Sequence, residues 1–194
     1  MPILFPPFTV KINQIVADNK RTITFILRLI LFFLVWKIAF HFIWANPSLE
    51  RIYNNFSLII IDAMLVCCKQ MLELLGYLIE IDNAERIVRI HGSIGVTVGE
   101  PCIGFGVSAF FTALIFSTTG AFHKKIWFVP IGLIIISLGN LLRICALTIM
   151  VESNPRLWEV NHKFVFTIII YSCVFILWSF WIKISNKEVC LNEP

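Results

Sequence analysis

Residues 126–151 read IWFVPIGLIIISLGNLLRICALTIMV. The stretch carries one charge, Arg143, in 26 residues. About 20 apolar residues in a helix cross the hydrocarbon of a bilayer, so this run is a membrane span. An arginine inside such a run is a functional suspect, because a charge at the bilayer centre costs roughly 2.5–3.5 kcal/mol on insertion scales. The rest of the chain agrees with a membrane solvent. Of 194 residues, 58% are hydrophobic and 14% charged, against about 25% charged in a soluble domain. The mean hydropathy is +0.85.

Working outward, three more runs have spanning length: Ile23–Trp44, Cys102–Thr119 and Phe164–Ile184. The first starts too far in and is too long to be the apolar core of a cleavable signal peptide. A further run, Phe56–Ile81, places Asp62, Lys69, Glu73 and Glu80 at spacings of seven and four, on one helical stripe. It either crosses with that stripe facing other helices or lies in the interface. Glu85–Val98, ERIVRIHGSIGVTV, is β-branched with Gly92-Ser93 at a turn position, and reads as a small hairpin. The expected fold is a single domain over residues 1–194. It is an all-α polytopic membrane protein of about five membrane helices, with an extracytoplasmic β-hairpin before the Cys102 helix.

Positive charge orients the spans. Lys11, Lys20 and Arg21 precede the first, Lys124 and Lys125 precede Ile126–Val151, and Lys183 and Lys187 end the last. With these at the cytoplasmic side, the hairpin and the loop Glu152–Asn161 lie outside. Phe56–Ile81 then has both ends outside, unless the N-terminus is outside despite its lysines. The net charge of +4 sits largely in these flanks, which reads as topology and not as nucleic-acid binding. The six cysteines (67, 68, 102, 145, 173 and 190) show no CxxC or zinc spacing. Neither a disulfide scaffold nor a metal or cofactor site is indicated.

Depth follows from a rise of 1.5 Å per residue. Cys102 lies 22 residues before Lys124, hence ~33 Å above the inner face if one helix joins them. Arg143, 16 residues past Trp127, lies ~24 Å up, and His162, 21 residues before Lys183, ~32 Å up. A thiol, a guanidinium and an imidazole thus reach the outer part of the membrane on three helices. A thiolate is the attacking form of cysteine. A nearby arginine stabilises it or the oxyanion formed after attack. A histidine takes the thiol proton and returns one to a leaving amine. Each residue also has a plain reading: Cys102 as a small apolar residue, Arg143 as a snorkelling anchor, His162 as an interfacial residue. His41 and His91 compete with His162 as base.

Three blocks carry a resemblance: VGEPCIGFGVSAFF, GNLLRI and HKFVFTIIIYSCVFILWSFW. In that order, on separate helices, they resemble the exosortase/archaeosortase family over roughly Leu72–Trp181, behind an N-terminal helix at 23–44. The resemblance implies a membrane-embedded cysteine protease/transpeptidase of the prokaryotic cytoplasmic membrane. Its partners would be exported proteins ending in a short motif, an apolar helix and a basic tail. Carried over, Cys102 is the nucleophile, Arg143 the electrostatic stabiliser and His162 the general base and acid; Asn140, one turn before Arg143, either orients it or serves helix packing. The family's Cys-Ser-Gly reads Cys-Ile-Gly here, so only Gly104 is kept after the cysteine. Two other classes compete. Cys67-Cys68 and Cys145 invite a membrane thiol oxidoreductase, and the stripe Asp62–Lys69–Glu73 a non-catalytic scaffold or transporter.

Overall fold

The structure, a computed structural model, describes residues 19–153 and 166–191. Four of its helices or helical segments are long and apolar enough to cross a membrane. Helix α1 (Lys20–Ala45) is mostly apolar, with Arg28 and Lys37 as the charges in its interior. Leu27, Leu31, Leu34 and Ile38 on it are more than half exposed. Such a face burdens folding in water at roughly 25 cal/mol per Å², and costs nothing against lipid tails.

Helix α2 (Pro47–Leu74) follows after one residue, Asn46, whose side chain donates to the Phe42 carbonyl (2.9 Å). Pro47 opens α2, where its missing N–H is no loss. The buried side of α2 is Ser57, Ile61, Met64, Leu65, Cys68 and Leu72, a helical stripe. Asp62 and Glu73 lie exposed away from it.

Helix α2 ends at Leu74, so the run expected to stay helical to Ile81 is shorter than its apolar length suggests. The hairpin expected at Glu85–Val98 is instead the second half of a three-stranded antiparallel sheet. Its strands are β1 (Ile79–Asp82), β2 (Ile87–Ile90) and β3 (Val96–Thr97), in that order. Glu80 therefore leaves the helical stripe and pairs across strands with Arg89. Pairing of β1 with β2, Ile79 opposite Ile90 and Asp82 opposite Ile87, decides this locally ambiguous Ile-Glu-Ile-Asp. The Gly92-Ser93 turn does lie in the β2–β3 connection.

The span after the sheet is broken into α3 (Glu100–Ile103) and α4 (Phe105–Ser117). Helix α5 (Phe122–Ser153) has 32 residues, hence ~48 Å, against about 30 Å of hydrocarbon. Its excess length packs under β2 and β3. Pro130, near its start, costs it one backbone hydrogen bond, which membrane helices tolerate. Helix α6 (Phe166–Leu191) closes the bundle against α4 and α5.

Two apolar clusters divide the interior. One joins the stripe of α2, the inner face of the sheet (Val88, Ile90, Val96), α3 and the end of α5 (Ile144, Cys145, Leu147, Val151). The other joins α4, the start of α5 and the end of α6 around Phe111, Ile136 and Trp181. In the second, Phe111 sits so close on Gly132 that a Cβ there would overlap its ring.

A candidate active site at the Cys102 elbow

Gly99 and Pro101 start α3, and Gly104 stops it after one turn. Gly104 holds φ +75°, ψ +30°, the left-handed conformation that ends helices and favours glycine. The chain restarts at once as α4. Cys102 and Ile103 are thus carried on an elbow and not on a straight span. This revises the depth calculated for Cys102, which assumed one continuous helix.

A helix that ends within a protein leaves carbonyls without partners. Asn140 of α5 meets this need: its Nδ2 donates to the Ile103 carbonyl (3.4 Å). Asn140 is fully buried, and it touches the elbow so closely that a Cβ on Gly104 would overlap Nδ2. The Cys-Ile-Gly block and the Asn-x-x-Arg block are therefore packed on each other. Arg143 follows Asn140 by three residues, on a neighbouring part of the same face. It is half-buried, with its Nε inside the protein.

Cys102 itself is only 4% exposed, in the same apolar cluster as Ile144 and Cys145. Any substrate carbonyl must reach it through this packing. His162 lies outside the described residues. The competing His91 stands on the β2–β3 turn, with Nδ1 2.6 Å from Glu80 Oε1. His91 lines a cavity of about 260 Å³ with Gly92, Ser93, Ile94, Val151 and Glu152, between the turn and the end of α5. His41 lies within α1, in its last two turns.

Three features of this end are not legible in the sequence. One is the clasp of Asn140 on Gly104, whose only signal is the Gly after the cysteine and the Asn before the arginine. Another is the Glu80–His91–Arg89 group. The third is the contact of Cys68 Sγ with Cys145 Sγ at 3.1 Å, from positions 77 residues apart, with Met71 Sδ 3.9 Å from Cys145. The polar stripe of α2 divides into two ion pairs, Lys69–Glu73 (3.7 Å) and Asp62–Arg86 (3.4 Å). Among the described residues, no group of three His, Cys, Asp or Glu side chains could hold a metal ion.

Glu80 gives the sheet a pH dependence. The hydrogen bond from His91, and then Arg89, hold its carboxyl below the usual carboxylate range. A carboxyl depressed in the folded state stabilises above its unfolded value, and the contribution is lost as pH falls through the folded one. Hydrogen exchange across β1 and β2, corrected for intrinsic rates, is expected to quicken as pH drops below the ordinary carboxylate range. Glu80→Gln should flatten that response, and an unchanged slope in the variant would assign the effect elsewhere.

Fold and site together define a helical, multi-pass membrane protein with a small sheet capping one end of its bundle. No protein-family model, curated protein or solved structure matches the chain.

Proposed function

We propose that the chain is a membrane-embedded cysteine protease/transpeptidase of the exosortase/archaeosortase type, acting on C-terminal sorting signals of exported proteins. The observation that carries this reading is the elbow. The cysteine block turns on Gly104 against Asn140 of the arginine-bearing helix, so two of the three blocks meet in one place. In the reaction, the Cys102 thiolate attacks the scissile carbonyl carbon after His162 takes the thiol proton. Arg143 stabilises the oxyanion. The C–N bond breaks as the protonated histidine returns a proton to the leaving amine, and a thioester remains. An acceptor nucleophile or water then attacks the thioester and frees the thiol.

The orientation belongs to the same proposal. Helix α2 meets Phe105 through Tyr53 and Phe56, Arg86 through Asp62, and Cys145 through Cys68. All of these partners belong to the sheet-bearing half, which supports an α2 lying along that half. Four crossings then leave the lysine-rich ends in the cytoplasm and the elbow towards the outer face.

Arginine at 143 discriminates catalysis from anchoring. A snorkelling anchor tolerates lysine, which has a long stem and the same charge. An oxyanion stabiliser does not, since lysine lacks the planar fork of donors. The test is co-expression with an exported client ending in motif, apolar helix and basic tail, followed by immunoblot. Arg143→Lys is expected to lower cleavage at least about tenfold at equal membrane abundance, by analogy with the roughly 10²–10³ lost on removing one oxyanion donor. Absence of any client cleavage by the unaltered protein would sink the proposed activity itself.

The Cys68–Cys145 contact favours a second reading, a thiol oxidoreductase. Against it, the six cysteines show no CxxC-type spacing of the kind redox pairs use.

A further inference from the structure

We propose that the cavity between the start of α1, the end of α4 and the end of α6 binds the phosphate headgroup of an anionic phospholipid. The cavity is about 680 Å³ and lies at the lysine-rich end, away from the Cys102 elbow. The inference is independent of the proposed catalysis.

Helix α1 supplies Lys20, Thr24 and Arg28 to its wall. They stand at intervals of four, which puts them on one face of the helix. Arg28 lies two turns inward, ~12 Å along the axis from Lys20. A cation at that depth needs an anion or must snorkel outward. Among the described residues, no acidic side chain lines the cavity, and no carboxylate forms an ion pair with Lys20 or Arg28.

The opposite wall is the end of α4, where exposed carbonyls would repel an anion. Here several of those acceptors are already occupied. The Lys125 ammonium donates to the Phe116 and Thr118 carbonyls. Ser185 Oγ donates to the Thr119 carbonyl (2.9 Å), and Trp181 Nε1 to Thr118 Oγ1 (2.8 Å). Trp178 also lines the cavity, and its buried indole N–H has no acceptor among the described residues. Two cations thus line a space with no acidic residue among its described walls. Their shared complement is a phosphate oxygen.

The source is a lipid and not free phosphate. The cavity falls in the 300–1,000 Å³ range that holds a whole small molecule. Phe25, Trp181 and Ile182 add an apolar wall suited to the glycerol and upper acyl chains. Tryptophans and lysines together mark the interfacial depth at which headgroups lie.

The test is native mass spectrometry of the purified full chain released from phosphatidylcholine nanodiscs doped with phosphatidylglycerol. Phosphatidylglycerol should be retained over phosphatidylcholine by more than about tenfold, at roughly fivefold for each cation. Lys20→Gln with Arg28→Gln should bring the preference to near unity with an unchanged melting temperature. No preference in the unaltered protein, or a preference that survives the double substitution, overturns the site. Equal displacement by soluble glycerol phosphate would assign the cavity to a free phosphate and overturn the lipid. Retention that emerges only on deleting residues 2–18 would hand the cavity to the chain's own leading segment, and would overturn the lipid as well.

Discussion

Cys102→Ser is expected to reach the membrane at normal abundance and leave the client uncut. Replacing the nucleophile of an acyl-transfer enzyme costs on the order of 10⁶ in kcat, so cleavage should fall to background. The reason is acidity. A base that suffices to activate a thiol does not activate a serine hydroxyl. Cys102 is buried, and a hydroxyl there without a partner costs about 1–3 kcal/mol, so Cys102→Ala serves as the parallel variant. The complementary variant keeps Cys102 as the sole cysteine. It should cut the client at near-normal rate, because Cys68 and Cys145 only pack against each other in the apolar cluster. A sole-cysteine protein that fails while folded would favour the thiol pair as the working chemistry. Client cleavage by Cys102→Ala at equal abundance would refute the nucleophile.

Gly104→Ala is expected to damage both stability and cleavage, and the sign of its effect is itself informative. Were residues 100–117 one unbroken helix, exchanging an interior glycine for alanine would stabilise it by about 1 kcal/mol. At the observed φ of +75° the added Cβ is strained, by roughly 1–2 kcal/mol. It also overlaps Asn140 Nδ2, and overpacking of that kind adds typically 1–3 kcal/mol. The expected loss is therefore about 2–5 kcal/mol, a large share of an ordinary stability of about 5–15 kcal/mol. It would be read as a lower melting temperature in detergent and reduced client cleavage per protein. Adding Asn140→Ala should recover part of it, since the clash goes while the backbone strain stays. Non-additivity in that double-mutant cycle measures the clasp. An alanine variant as stable as the parent or more so would mean that the elbow does not exist.

The membrane character of the chain is legible without any structure. Crossing a bilayer needs only length and apolarity, and both are local properties. Thus Ile23–Trp44 lies within α1, and Ile126–Val151 within α5. The described part of the last span, from Phe166, likewise follows the apolar run. The three blocks that suggest a thiol chemistry are also visible as residue types at intervals. Other features depend on partners far away in the chain. Ile79–Asp82 carries too few residues to distinguish a strand from the tail of a helix, and its state is decided by β2. The apolar run of α2 is plain in the sequence, but its ion pair with Arg86 and its contact with Cys145 arise only in the folded chain. Gly104 permits an elbow without requiring one. The bend is held by Asn140, 36 residues later, whose amide satisfies the Ile103 carbonyl that the bend exposes. Cys68 and Cys145 likewise become neighbours only when α2 docks on α5. Sequence by itself determined which segments prefer lipid to water, because that preference is a sum over single side chains. Tertiary structure alone decided where the Cys102 segment turns and what it turns against, because a helix end is stable only where another element supplies the missing hydrogen bonds.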